Sequence, residues 1–89
     1  MHLYTVLLEY AGGTFVCQVK ATDEQDALKN WLINLRDRGI AGDCSGEVAT
    51  AFAGIADNLV PLEGLTNAWC ATALTERDLA LVNIVRTCD

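Results

Sequence analysis

The sequence predicts a single α+β domain spanning 1–89, ordered β-β-α-α-β-β, with a four-stranded antiparallel sheet and two helices on one face. Three observations carry that prediction. Two runs rich in β-branched and aromatic residues flank Gly12-Gly13. An amphipathic stretch with capping chemistry at both ends follows, from Thr22 to Gly39. Two further apolar runs flank Thr75-Glu76-Arg77-Asp78.

Residues 3–10 and 14–21 read as a hairpin, because a glycine pair between β-forming runs supplies the positive φ values that a two-residue turn needs. A turn at Gly12-Gly13 pairs Ala11 with Thr14, so partner numbers sum to 25. Tyr10 then faces Phe15, Leu8 faces Cys17, Val6 faces Val19 and Tyr4 faces Ala21, all on one apolar side. The other side holds Thr5, Glu9, Thr14, Gln18 and Lys20, with Leu3, Leu7 and Val16 among them. The first set is core and the second is largely solvated.

A helix over 23–38 follows. Thr22-Asp23-Glu24-Gln25 fits a capping box, with Thr22 as the cap. Asp23, Glu24 and Asp26 suit the positive end of the helix dipole. Ala27, Leu28, Trp31, Leu32 and Leu35 form one apolar stripe, Arg36 and Arg38 occupy the last turn, and Gly39 suits the C-terminal cap. Gly39, Gly42 and Gly46, with Asp43 and Ser45, mark a loop. Val48, Phe52, Ile55 and Leu59 recur at helical spacing, which predicts a second helix over 46–57 capped by Ser45 or Asp43. Pro61 and Gly64 make 58–67 a connection. Trp69–Leu74 and Leu79–Arg86 form the second hairpin. Pairing Leu74 with Leu79 makes partner numbers sum to 153 and sets Trp69, Ala71 and Ala73 on one face with Ala80, Val82 and Ile84. Both faces of this hairpin are apolar, which suits central or doubly covered strands.

Six basic residues stand against twelve acidic ones, a net charge of −6 at a pI near 4.5. Only Arg36 and Arg38 lie close together, so no basic patch is available for nucleic acid or for an anionic membrane surface. No stretch reaches the length of a membrane span, and the opening residues lack the basic segment of an export signal. The expectation is a cytoplasmic protein whose Cys17, Cys44, Cys70 and Cys88 are free thiols; their spacing contains no C-x-x-C pair for zinc or redox work.

Catalytic sets are equally sparse. Ser45 is the one serine and His2 the one histidine, so a Ser/His/Asp triad is not expected. The Gly39–Gly46 loop lacks a phosphate-binding fingerprint, and Asp43 and Glu47 would repel an anion. Asp23, Glu24 and Asp26 are explained by the helix dipole, and Asp57 and Glu63 converge on nothing. No enzyme activity, cofactor or metal is therefore expected.

Surface composition points elsewhere. With 52% hydrophobic residues and a second hairpin apolar on both sides, two helices on one face leave apolar surface over. Either the connection 58–67 lies across it or another chain does. The candidate interaction surface comprises Trp69, Leu79, Leu81, Val82, Ile84 and Val85, and the expected partner is another protein or a second copy in a homodimer.

The stretch Tyr4-Thr5-Val6-Leu7-Leu8-Glu9-Tyr10, Gly12-Gly13, Phe15-Val16-Cys17-Gln18-Val19 and Thr22-Asp23-Glu24-Gln25-Asp26-Ala27-Leu28 resembles HicB-type antitoxins. Those begin with a strand, a glycine turn, a second strand and a helix with a T-x-E-E-A-L-like opening. The likeness covers under a third of the chain, and the family's Pro- and Gly-containing segment before the helix is missing here. In size, charge and layout the chain is also similar to small acidic bacterial α+β proteins, among them immunity proteins that neutralise basic toxins. These resemblances imply a protein–protein interaction domain that acts by occluding a partner's site, immunity- or antitoxin-like. The alternative is a small-molecule binding module or accessory enzyme subunit, with its pocket between sheet and second helix near Phe52 and Trp69.

Overall fold

In the structure, a computed structural model that describes residues 1–53 and 59–88, the expected α+β layout is present with one strand more than predicted. The elements are β1 (His2–Tyr10), β2 (Gly13–Ala21), α1 (Glu24–Arg38), a 3-10 turn (Gly42–Cys44), α2 (Ser45–Ala53), β3 (Val60–Pro61), β4 (Ala68–Leu74) and β5 (Leu79–Cys88). They build one antiparallel sheet in the order β2-β1-β5-β4-β3, so the first and last strands lie side by side at its centre. The sheet has five strands, not four. The added one, β3, is a two-residue edge pairing Val60 with Cys70 and Pro61 with Trp69 inside the stretch read as a connection. Pro61 lacks an N–H, which an edge position tolerates and which hides the strand from a propensity reading.

The first hairpin turns one residue earlier than Gly12-Gly13. Ala11 (φ 50°) and Gly12 (φ 81°) form the turn and Tyr10 pairs with Gly13. Partners are thus Leu8 with Phe15, Val6 with Cys17, Tyr4 with Val19 and His2 with Ala21. Gly13 sits in the strand under the Phe15 ring, where a Cβ would come within 3.1 Å of that ring. The register moves by two, so the inward and outward sets are unchanged. The second hairpin has the expected register, from Leu74–Leu79 to Ala68–Val85.

Helix α1 begins at Glu24 rather than 23, and its cap is Asp23, not Thr22. Asp23 accepts from the Asp26 N–H at 2.8 Å, while Asp26 reaches back to the N–H and hydroxyl of Thr22. An aspartate satisfies a free N–H at the helix start as well as a threonine does, and the second carboxylate completes the reciprocal pair. Gly39 ends the helix in the left-handed conformation (φ 59°) and donates its N–H to the Leu35 carbonyl. Helix α2 starts directly after the 3-10 turn, at Ser45, whose hydroxyl accepts from the Ala41 N–H instead of capping the helix. The predicted end of α2, with Ile55 and Asp57, lies outside the described residues.

Both helices cover one face of the sheet. Leu28, Trp31, Leu32 and Leu35 of α1 and Val48, Ala49 and Phe52 of α2 pack on Tyr4, Val6, Leu8, Val19, Ala71, Val82 and Ile84. Trp31 and Phe52 meet edge to face at 5.6 Å, joining the two helices over the central strands. No described helix is long and apolar enough to cross a membrane.

Candidate functional site

Strand alternation turns every second residue away from the helices. With β1 beside β5, the outward residues of separate hairpins merge into one surface. Leu3, Thr5, Leu7 and Glu9 of β1 lie between Thr14, Val16, Gln18 and Lys20 of β2 and Leu79, Leu81, Asn83, Val85 and Thr87 of β5. Cys70, Thr72 and Leu74 of β4 and Val60 of β3 extend it. Among the described residues only Ala68 is buried on this side. Val16 is 60% exposed, Leu74 76%, Leu79 51%, Val60 58% and Val85 36%. The described part of the 58–67 connection runs along the β4 edge instead of crossing this face.

The face is ordered by its polar groups. Gln18 donates to the Thr5 hydroxyl at 3.1 Å, and the Thr5 and Thr87 hydroxyls hydrogen-bond across the β1–β5 pair. The charged side chains of its strands, among the described residues, are Glu9 and Lys20, at opposite ends of adjacent strands, and Asp78 of the β4–β5 loop lines the same hollow as Glu9 at the turn end. The net charge of −6 therefore resides elsewhere on the molecule.

The six residues singled out from the sequence divide between the two faces. Leu79, Leu81 and Val85 point outward. Val82 and Ile84 are completely buried under the helices and belong to no surface. Trp69 also faces the helix side, half-buried at the core margin with its ring 6.2 Å from Tyr4. Period-2 alternation separates residues that are contiguous in sequence, and an apolar run with no polar phase does not reveal which half faces in. Sequence reasoning missed Val16, Leu74 and Val60. The apolar Leu3, Leu7 and Val16 on the wet side of the first hairpin were a signal, but the β1–β5 adjacency that joins them to the second hairpin is long-range.

A second feature lies at the edge of the helical layer. An open groove of about 540 Å³ runs between the first turns of α2 and the β4–β5 loop, lined by Gly46, Glu47, Thr50, Leu74, Thr75 and Arg77. This differs from a pocket near Phe52 and Trp69, since Phe52 is fully buried in the core. The Arg77 guanidinium grips Glu47 with two bonds, Nη2 to Oε1 at 2.6 Å and Nε to Oε2 at 3.2 Å. The buried Tyr10 hydroxyl donates to Glu47 Oε2 at 2.6 Å and also meets the Thr75 hydroxyl at 2.5 Å. A ligand anion would have to displace Glu47 from Arg77, so the groove serves as a clamp between α2 and the second hairpin.

The Tyr10 hydroxyl, and then Arg77, hold the Glu47 carboxyl below the ordinary carboxylate range, and Glu47 in turn pushes Arg77 further up. A carboxyl lowered in the folded state stabilises the fold above its unfolded titration range, and that stabilisation is lost as pH falls through its folded value. Glu47→Gln is therefore expected to lower the urea midpoint at neutral pH and to converge with the wild type as pH falls through the lowered Glu47 value. Because Arg77 is exposed, the difference should also shrink in high salt. A gap that is constant with pH would show that the carboxylate charge has no part in it.

Other reactive groups are dispersed. Cys17, Cys44 and Cys70 are free thiols, and burial pushes the Cys17 thiol up, away from the nucleophilic thiolate. Among the described residues no three His, Cys, Asp or Glu side chains form a cluster able to hold a metal. No family model, curated protein or solved structure matches this chain.

Proposed function

We propose that the protein is an interaction module that acts by covering, or being covered by, another polypeptide through the outer face of its sheet. The observation that carries this reading is the set of exposed apolar residues Val16, Leu79 and Val85, spread over neighbouring strands of a face that holds little of the net negative charge. Exposed apolar residues gathered among uncharged polar ones on one face suit an interaction site. Occlusion of a partner, as in immunity proteins and antitoxins, is the role this chemistry suits. A cytoplasmic setting agrees with the free thiols.

The test is site-specific photo-cross-linking in extracts of cells that make the protein. A photoreactive residue at Leu81 or Val85 is expected to give discrete adducts, while one at Lys29, exposed on α1, gives none. Equal labelling from both faces, or none from either, would overturn the reading.

A further inference from the structure

On the reading that the outer face is an interaction surface, the geometry points to its occupant: we propose that a second copy of this chain covers it, related by a two-fold axis that lies between the sheets and perpendicular to the strands. Three features support this occupant.

The first is charge. Any acidic surface of a molecule carrying −6 repels its own copy, but the strands of this face hold one acid and one base, Glu9 and Lys20, with Asp78 of the β4–β5 loop at the same end as Glu9. Glu9 sits near the turn end of β1. Lys20 sits near the opposite end of β2, where its partner on β1 is Leu3. A two-fold across the strands stacks β1 on β1 and β2 on β2 with their ends exchanged. Each Lys20 then comes beside the Glu9 of the other copy, twice per dimer, as closed two-fold symmetry requires. A two-fold along the strands would instead set β1 and β2 against the β4–β3 side, leaving both charges against Thr72 and the sheet margin with no opposite charge.

The second is area. The strands, of 9, 9, 10, 7 and 2 residues across the sheet, at about 3.3 Å per residue and about 4.8 Å apart, offer a footprint on the order of 600 Å² before side-chain relief is counted. Specific interfaces start at about 600 Å² of accessible surface per partner, so a second copy would cover this face almost whole.

The third is the centre of the face. Leu7, Val16 and Val85 lie on the rows between Glu9 and Lys20, so the two-fold brings apolar side chains of each copy to the middle and the ion pairs to the rim. Thr5 and Gln18 enter already hydrogen-bonded to each other, which lowers the cost of removing them from water.

The experiment is sedimentation equilibrium of the purified chain under reducing conditions, from low to high micromolar. A reversible dimer of 9.6 kDa subunits is expected. Glu9→Lys and Lys20→Glu should each weaken it about tenfold, since two modest rim pairs become two repulsions, and the double swap should restore it to within about threefold. Val85→Lys should abolish it, and Val16→Lys repeats that test on another strand if the first variant folds poorly. A monomer at every concentration overturns the proposal; discrete Leu81 or Val85 adducts of some other protein would then leave the interaction reading standing. A dimer that survives both Val85→Lys and Val16→Lys would pair through the exposed β2 edge and overturns it too. So does a dimer that the double charge swap fails to restore.

Discussion

Trp31→Ala is expected to lower stability by about 3–5 kcal/mol, the usual loss for a large buried aromatic. A chain of 89 residues has about 4–13 kcal/mol in total at typical values per residue, so this single change removes much of it. The size of the effect follows from what Trp31 joins. It is 1% exposed on the inner side of α1, and its ring meets the fully buried Phe52 of α2 edge to face. Truncation would leave a void under both helices that neither can close without leaving the sheet. Urea unfolding followed by far-UV circular dichroism measures it, with Ile33→Ala on the exposed side of the same helix as control, expected within about 0.5 kcal/mol of wild type. Comparable losses from both changes would mean that α1 does not pack by the stripe of Leu28, Trp31, Leu32 and Leu35.

That stripe was legible in the sequence because a 3.6-residue period and capping residues agree locally. The C-terminal limit of α1, its Gly39 cap, the 153 register of the second hairpin and the facing of the first hairpin were legible for the same reason. The differences arise where tertiary contacts decide. The first turn falls one residue earlier than the glycine pair, and no local rule favours Ala11-Gly12 over Gly12-Gly13. The strand β3 exists through two pairings with β4, too few to show as a pattern. The candidate surface depended most on long-range order. Leu79, Leu81 and Val85 were visible as apolar residues, but their union with Leu7 and Val16 requires β1 beside β5, a pairing between the two ends of the chain. The Tyr10–Glu47–Arg77 cluster, which draws on β1, α2 and the last hairpin loop, could not be read from spacing at all.

The division of β5 into two faces gives the second large effect. Val82→Asp and Val85→Asp place the same chemistry three residues apart on one strand, and they are expected to behave oppositely. Val82 is completely buried between Leu8 and Ala71 on the neighbouring strands, beneath the helices. A carboxyl there must either ionise without a partner or be protonated and left without water, which costs at least about 3–5 kcal/mol. Val85 lies between Thr5 and Ala68 on the open side. Its carboxylate stays hydrated in the monomer, so the fold should change by no more than about 1 kcal/mol while self-association is lost. Urea midpoints at low micromolar concentration isolate the fold, and sedimentation at high concentration reads the association. A Val82→Asp chain that folds normally would mean the helices do not seal the inner face. A Val85→Asp chain that unfolds would mean that the outer face is already covered within one chain, which would remove the surface on which the interaction reading depends.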